Sequence, residues 1–334
     1  MWTSLRVMEG LLGLERMSEE HRSSDGSCVV VSGWHYKYGH VVCKVLASSS
    51  DRTEIIQSRE VQILRSLSHC NICPVFHITQ QKLQNRHYFI ITMPFVATNL
   101  AKERHKRMKL GAHWKEAELW SILMQVTSAL CYTQEMQVCH RDLKPSNLLL
   151  EPTGRVLVAD FGSGKMNTPV GAAGHSWVGT IDYVSPELQR AVAALMLGDA
   201  QAAAYCPYRS DVFSLGVTLL SLMRLDLPQY SAKAGSADRT VELITLLGEL
   251  RPRYSEELLI VIGSMIEHDP ELRPSFVQLE ATLQTLKGPA QLCSSTLLSC
   301  QACHDHTKFV VKLACQHYYC RNCLLAYANS DISA

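Results

Sequence analysis

Asp142, Lys144 and Asn147 stand within one run of eight residues, His140-Arg141-Asp142-Leu143-Lys144-Pro145-Ser146-Asn147. A carboxylate, an ammonium group and a carboxamide in one short loop suit the movement of a phosphoryl group from ATP–Mg²⁺ onto a hydroxyl. Asp142 would accept the proton of the attacking hydroxyl and Lys144 would neutralise charge on the transferred phosphoryl. Asn147 would hold a metal ion.

Such a loop works only if other elements bring the phosphates and the metal to it. Leu148-Leu149-Leu150, Thr153-Gly154 and Val156-Leu157-Val158 read as strand, turn and strand. That hairpin would set Asn147 beside Asp160 of Asp160-Phe161-Gly162, thirteen residues on. Upstream, Val41-Val42-Cys43-Lys44 is an apolar strand ending in a lysine, and Glu60 opens a helical pattern with Ile63, Leu64 and Leu67. Taken singly, Lys44 reads as a strand-end surface charge and Glu60 as part of a solvated helix face. Together, in this order and spacing, they resemble the eukaryotic protein kinases, and Lys144 resembles the serine/threonine branch. The resemblance implies a Lys44–Glu60 ion pair that holds the lysine against the α- and β-phosphates, with Asn147 and Asp160 on Mg²⁺. It assigns further nucleotide contacts to Gly26, Val29, Val42, Met93, Phe95 and Leu149. Met93 falls at the gatekeeper position, and Pro94-Phe95-Val96 at the hinge that bonds adenine through its backbone.

Three more stretches carry the same resemblance. Gly179 to Glu187 closes a segment that begins at Asp160, with Ser185 where the family usually has alanine before Pro186-Glu187. Asp211 to Gly216 resembles the buried helix whose aspartate caps the catalytic loop. Asp269 to Ser275 resembles the motif whose arginine, here Arg273, pairs with Glu187. Within the activation segment, Ser176 falls where an activating phosphate often sits, and Arg141 is the residue such a phosphate would meet.

Length and composition agree. The 334 residues, 47% hydrophobic and 19% charged, allow a large two-lobed domain with a real core and a small appendage. A formal net charge of +1 gives no electrostatic reason to expect nucleic acid as a partner. Lys102 to Lys109 is basic, and reads better as a solvated helix face than as a localisation signal. No apolar stretch reaches the length of a membrane span, and Glu9 and Glu15 interrupt the N-terminal apolar residues. The expectation is a cytoplasmic protein with reduced or metal-bound cysteines.

Two stretches depart from the family pattern. The phosphate-covering loop should fall between Arg22 and Val29, yet only Gly26 lies there, and Asp25 would put a carboxylate near the triphosphate. Glycine matters at such a place because the backbone N–H groups must approach the phosphates without a Cβ between. The Ala-rich stretch from Gln189 to Tyr205 is also longer than usual and reads as an extra helical turn or two on the surface.

Past Lys287-Gly288-Pro289 the chain changes character, with six of its thirteen cysteines still to come. Cys300, Cys303, Cys320 and Cys323 form two Cys-x₂-Cys pairs sixteen residues apart, the spacing of a closed Cys₄ zinc site. Cys315 and His317 resemble the third and fourth ligands of a RING finger and are candidates for a second zinc, which would need a further Cys pair. The RING resemblance covers about three quarters of such a module.

The fold class expected is α+β: a small antiparallel β lobe with one main helix on a larger helical lobe, plus a zinc-binding tail. The divisions are 1–24 as an N-terminal segment, 25–286 as the kinase-like domain, 287–299 as a linker and 300–334 as the partial RING. The leading function is transfer of the ATP γ-phosphoryl group to a Ser or Thr of a protein substrate. A pseudokinase scaffold and a kinase-regulated RING-type ubiquitin ligase, with an E2 enzyme as partner, stay open beside it.

Overall fold

The structure, a computed structural model, describes residues 12–23, 28–48, 61, 63–83, 86–161, 165–166, 181–199, 205–226 and 236–287, and four short strands between 298 and 320. The chain forms two units, Met1–Val96 with Gln291–Ala334, and Ala97–Ala290.

In the first unit, β1 (Leu14–Arg22), β2 (Cys28–His35), β3 (Gly39–Ser48), β4 (His77–Leu83) and β5 (Arg86–Pro94) form one antiparallel sheet in the order β1-β2-β3-β5-β4. Alternation along a strand sends successive side chains to opposite faces, and here both faces bury apolar groups. Val41, Cys43 and Val45 pack on one with Val29, Val31 and Ile90. Leu46, Phe89 and Ile91 pack on the other with Val61, against which Leu64 and Met93 lie. Residues 63–66 are helical, within the helix expected from Ile55 to Leu67; its first turns, with Glu60, lie outside the described residues.

In the stretch read as an N-terminal segment, before residue 25, lies β1, which pairs with β2 along its length. It left no alternation to read. Apart from Leu14 and half-buried Met17 it is exposed, and its pairing is interrupted by irregularities at Glu15/Ser18 and Glu19/His21. Charged, bulged edge strands of this kind resist further pairing, and the same charge hides them from a period-two reading.

The second unit begins with β6 (Thr98–Asn99) and α1 (Leu100–Leu110). Asn99 caps α1 by accepting from the Lys102 N–H, and Gly111 ends it in the left-handed conformation at φ 62°. The basic run from Lys102 to Lys109 is this helix. Arg107 turns inward from it, pairs with Glu103 and Glu118 and lies 3.8 Å over the Trp114 ring.

The strands β7 (Val138–Cys139), β8 (Leu148–Leu150), β9 (Val156–Val158) and β10 (Lys165–Met166) surround the catalytic loop, among α2 (Glu116–Glu135), α3 (Pro186–Met196), α4 (Pro207–Arg224), α5 (Ser236–Gly248), α6 (Glu256–Met265) and α7 (Phe276–Lys287). Nearly every residue of α4 is buried. A helix apolar on all sides sits inside a large core, and α4 is the post to which the site is tied. None of the described helices is long and apolar enough to cross a membrane.

Gly216 sets how close α6 can come to α4. A Cβ there would stand 2.8 Å from Ile266 Cγ2 and 2.9 Å from Met265 Cβ. The Met265 Cβ is fixed by its backbone, so the helices themselves would have to part. Overpacking of this kind costs about 1–3 kcal/mol, against about 1 kcal/mol that alanine gains over glycine in a helix. Gly216→Ala is therefore expected to lower the melting midpoint by a few degrees; a rise would show that the two helices yield freely.

Candidate active site

The catalytic loop is strapped to α4 through its backbone. Both oxygens of the Asp211 carboxylate are used: Oδ2 accepts the His140 N–H at 2.7 Å and Oδ1 the Arg141 N–H at 2.7 Å. Burial pushes the Asp211 carboxyl above its ordinary range, opposed by His140, Arg141 and these two N–H groups. The strap holds a turn that a free chain would avoid, since Arg141 has φ 70°.

Beyond it the loop folds onto Asp142. Lys144 Nζ lies 2.7 Å from Asp142 Oδ2. Asn147 Nδ2 donates to the Asp142 carbonyl at 2.8 Å and to Oδ2 at 3.1 Å. The three side chains that the sequence placed in one loop therefore meet at one carboxylate oxygen. Donation through Nδ2 orients the carboxamide, and its Oδ1 lies 3.5 Å from the Ser146 hydroxyl.

The hairpin expected after Asn147 is β8 and β9, with Leu148 opposite Val158 and Leu149 opposite Leu157. Leu148 is buried, whereas Leu149 is partly exposed. At the hairpin's open end the Ala159 N–H donates to the Asn147 carbonyl at 2.9 Å. His140 Nε2 bonds the Ala159 carbonyl at 3.0 Å, and the buried Phe161 ring leans on the imidazole at 4.8 Å. Asp160, between these two anchored residues, is exposed and sits at φ 64°. Such a conformation persists only where its neighbours hold it. Lys165 and Met166 then pair with Cys139 and Val138, so the chain that follows Asp160 is tied back to the strand that enters the catalytic loop.

The pair expected between Arg273 and Glu187 is present. Arg273 Nη1 and Nη2 reach Glu187 Oε1 and Oε2 at 2.7 and 3.2 Å, in a region closed to water. Ser185, a small-for-small change by sequence, does more than fill space. Its hydroxyl caps α3 by accepting from the Leu188 N–H and lies 2.8 Å from the Ser210 hydroxyl of α4.

In the first unit, register decides which side chains share the Lys44 face. Lys44 lies opposite Val30 and Ile91, and Val42 opposite Ser32 and Met93. Val42, Lys44 and Met93 are thus brought together as expected. Val29 is not: its side chain is fully buried on the opposite face among Val31, Val41 and Cys43. Val30 takes its place beside Lys44. Phe95 donates its N–H to the His40 carbonyl at 3.2 Å, and its ring stacks on His40 at 3.9 Å. Gly26 and Glu60 lie outside the described residues, as does Ser176. On either side of the stretch that holds Gly26, the Ser23 N–H donates to the Cys28 carbonyl at 2.9 Å, and Ser23 Oγ accepts the Cys28 N–H at 2.9 Å.

Of the zinc candidates, Cys300, Cys303, Cys315, His317 and Cys323 lie outside the described residues, and Cys320 ends β14 (Tyr318–Cys320). Among the described residues no group of three His, Cys, Asp or Glu is arranged to hold a metal.

The site is thus a strapped loop that sets a carboxylate between a lysine and an asparagine, with an aspartate at the end of the next hairpin. The sequence matches the protein kinase domain over residues 25–283, and the chain belongs to that family. It is 30% identical to the CBL-interacting serine/threonine-protein kinase 12 of Arabidopsis thaliana over 234 residues, 69% of this chain and 43% of that protein. It is also 30% identical over 227 residues to the probable serine/threonine-protein kinase nek2 of Dictyostelium discoideum, covering 66% of this chain and 50% of that one. The serine/threonine-protein kinase SIK1 of Mus musculus is 28% identical over 243 residues, 72% of this chain and 28% of its own length. The chain spans between 18% and 53% of the length of such relatives.

Proposed function

We propose that this chain is a serine/threonine protein kinase that transfers the γ-phosphoryl group of ATP to a Ser or Thr hydroxyl of a protein substrate. The convergence of Lys144 Nζ and Asn147 Nδ2 on Asp142 Oδ2 carries the reading. Asp142 takes the hydroxyl proton, and Lys144 holds the carboxylate in place and faces the transferred group. The donor set fits Mg²⁺, since Asn147 offers its amide oxygen and Asp160 a carboxylate, both hard oxygen ligands. Bound there, the metal would neutralise charge on the phosphate oxygens. Lys44 is assigned to the α- and β-phosphates with Glu60 as its partner, and Val30, Val42, Met93 and Leu149 to the nucleotide. The test is transfer from ATP–Mg²⁺ to casein by the wild type. That Gly26 is the one glycine between Arg22 and Val29 favours one rival, a scaffold that does not turn over, and absence of transfer alongside an active control kinase would establish it.

The tail is assigned a structural zinc. The strands β11 (Leu298–Ser299) and β12 (His306–Thr307) pair antiparallel and bracket Cys300 and Cys303, and β14 pairs with β13 (Val310–Lys312) and ends at Cys320. A hairpin that carries Cys-x₂-Cys between its strands is the form in which such pairs take zinc. Purified full-length protein is expected to hold one zinc per chain by elemental analysis, and Cys320→Ser to lose it. Less than half an equivalent in the wild type, with all thiols titratable, would refute the site.

A further inference from the structure

Arg141 directly precedes the proposed base and points into the protein rather than to water. It is 8% exposed, and its N–H is held by Asp211. Among the described residues its guanidinium meets no carboxylate. Nη2 donates to the Tyr205 hydroxyl at 3.1 Å, and Nε is buried with no partner. A guanidinium this far from solvent needs acceptors, because desolvation without them is costly. One phenol oxygen therefore decides where the Arg141 side chain rests.

Tyr205 is itself held firmly. It comes at the end of the Ala-rich stretch that reads as a surface spacer, yet it is 8% exposed and packs with Val184, Leu188 and Ala191. Leu188 and Ala191 lie on α3, and the chain just before α3 is fastened to α4 by Ser214 Oγ to the Tyr183 carbonyl at 2.8 Å and by Ser185 to Ser210. The buried face of α3 thus seats a phenol whose hydroxyl reaches the catalytic loop. Burial pushes that phenol above its ordinary range in spite of Arg141, so the acceptor is neutral at physiological pH.

We propose that Tyr205 is a positioning residue for phosphoryl transfer, acting through Arg141 to hold the Asp142 loop in its working geometry without a phosphate on the activation segment. This rests on the kinase reading above. It stands beside the expectation that a phosphate on Ser176 would meet Arg141: the Tyr205 hydroxyl meets that guanidinium with a neutral group. Tyr205→Phe removes one oxygen, keeps the ring in its apolar seat and leaves a second guanidinium nitrogen without an acceptor.

The test compares full-length wild type, Tyr205→Phe, Arg141→Met and the double variant for ATP–Mg²⁺-dependent phosphorylation of casein, each before and after phosphatase treatment. Phosphatase-treated wild type is expected to keep its turnover within about twofold, while Tyr205→Phe loses about tenfold in kcat with an unchanged KM for ATP. The double variant should be no slower than Arg141→Met alone, because the hydroxyl acts through that arginine. A Tyr205→Phe enzyme with wild-type kcat overturns the proposal, as does a wild type that phosphatase inactivates. A loss confined to the melting midpoint with kcat intact assigns Tyr205 to packing and overturns it equally. Absence of transfer by the wild type overturns the kinase reading and this proposal together, whereas an active wild type with an indifferent Tyr205→Phe overturns this one alone.

Discussion

Asp142→Asn is expected to lower kcat for phosphoryl transfer by about 10²–10⁴-fold, the usual contribution of a positioned general base. The substitution is nearly isosteric, so the loop should keep its shape. Its straps run from Asp211 to the backbone of His140 and Arg141 and make no use of the Asp142 side chain. Lys144 and Asn147 both donate to Oδ2, and an asparagine side chain can turn its carbonyl oxygen toward them and keep both bonds. What it cannot do is take a proton. Affinity for ATP should then be close to that of the wild type, and the melting midpoint should move by no more than a degree or two. The measurement is kcat and KM for ATP on one acceptor protein, with nucleotide binding followed separately. Turnover within a factor of three of the wild type would remove Asp142 from the mechanism. A loss explained entirely by KM would make it a binding group instead.

How far this site could be read in advance depended on what constrains each residue. Asp142, Lys144, Asn147 and Asp160 are identified by side-chain chemistry and spacing, and the hairpin between them is short enough for local patterns to specify. Asp211, Glu187 and Arg273 are distant in sequence, but each makes bonds that few other side chains could make, so the residue type itself is the signal. The failures have a common origin in pairing and register. In Val29-Val30-Val31 no polar residue marks which face is which, and only the pairing of Val30 with Lys44 resolves it. The charges of β1 conceal a strand that exists because β2 offers it a partner. Ser185 was legible as a small residue, while its bond to Ser210 needs α4 beside it. The contact of Tyr205 with Arg141 joins residues 64 positions apart through one hydroxyl, and no periodicity encodes that.

Arg273→Ala is expected to be the most destabilising of these changes, at about 3–5 kcal/mol. Arg273 is fully buried and uses all of its N–H donors. Two go to Glu187, one to the Arg209 carbonyl at 2.7 Å, and two to the Glu267 carbonyl at 3.1 and 2.7 Å. Its guanidinium also lies 5.0 Å from the centre of the Phe213 ring on α4. Alanine would leave a buried carboxylate and two carbonyls without donors, and a void against Phe213. At roughly 2–4 °C per kcal/mol for a domain of this size, the melting midpoint should fall by about 10 °C. Lysine should recover little, because a single ammonium cannot reproduce a planar fork that bonds a carboxylate and two carbonyls at once. Glu187→Gln should be much milder, since the amide oxygen still accepts from Nη1 and the carbonyl bonds remain. That asymmetry separates the two views of the pair. If attraction between the charges were what mattered, both substitutions would cost alike. If Arg273 acts chiefly as a multiple donor that fastens α3 and the loop before α7 onto α4, only its own removal should be severe. A midpoint change of less than 3 °C in Arg273→Ala would mean that these elements hold together without it.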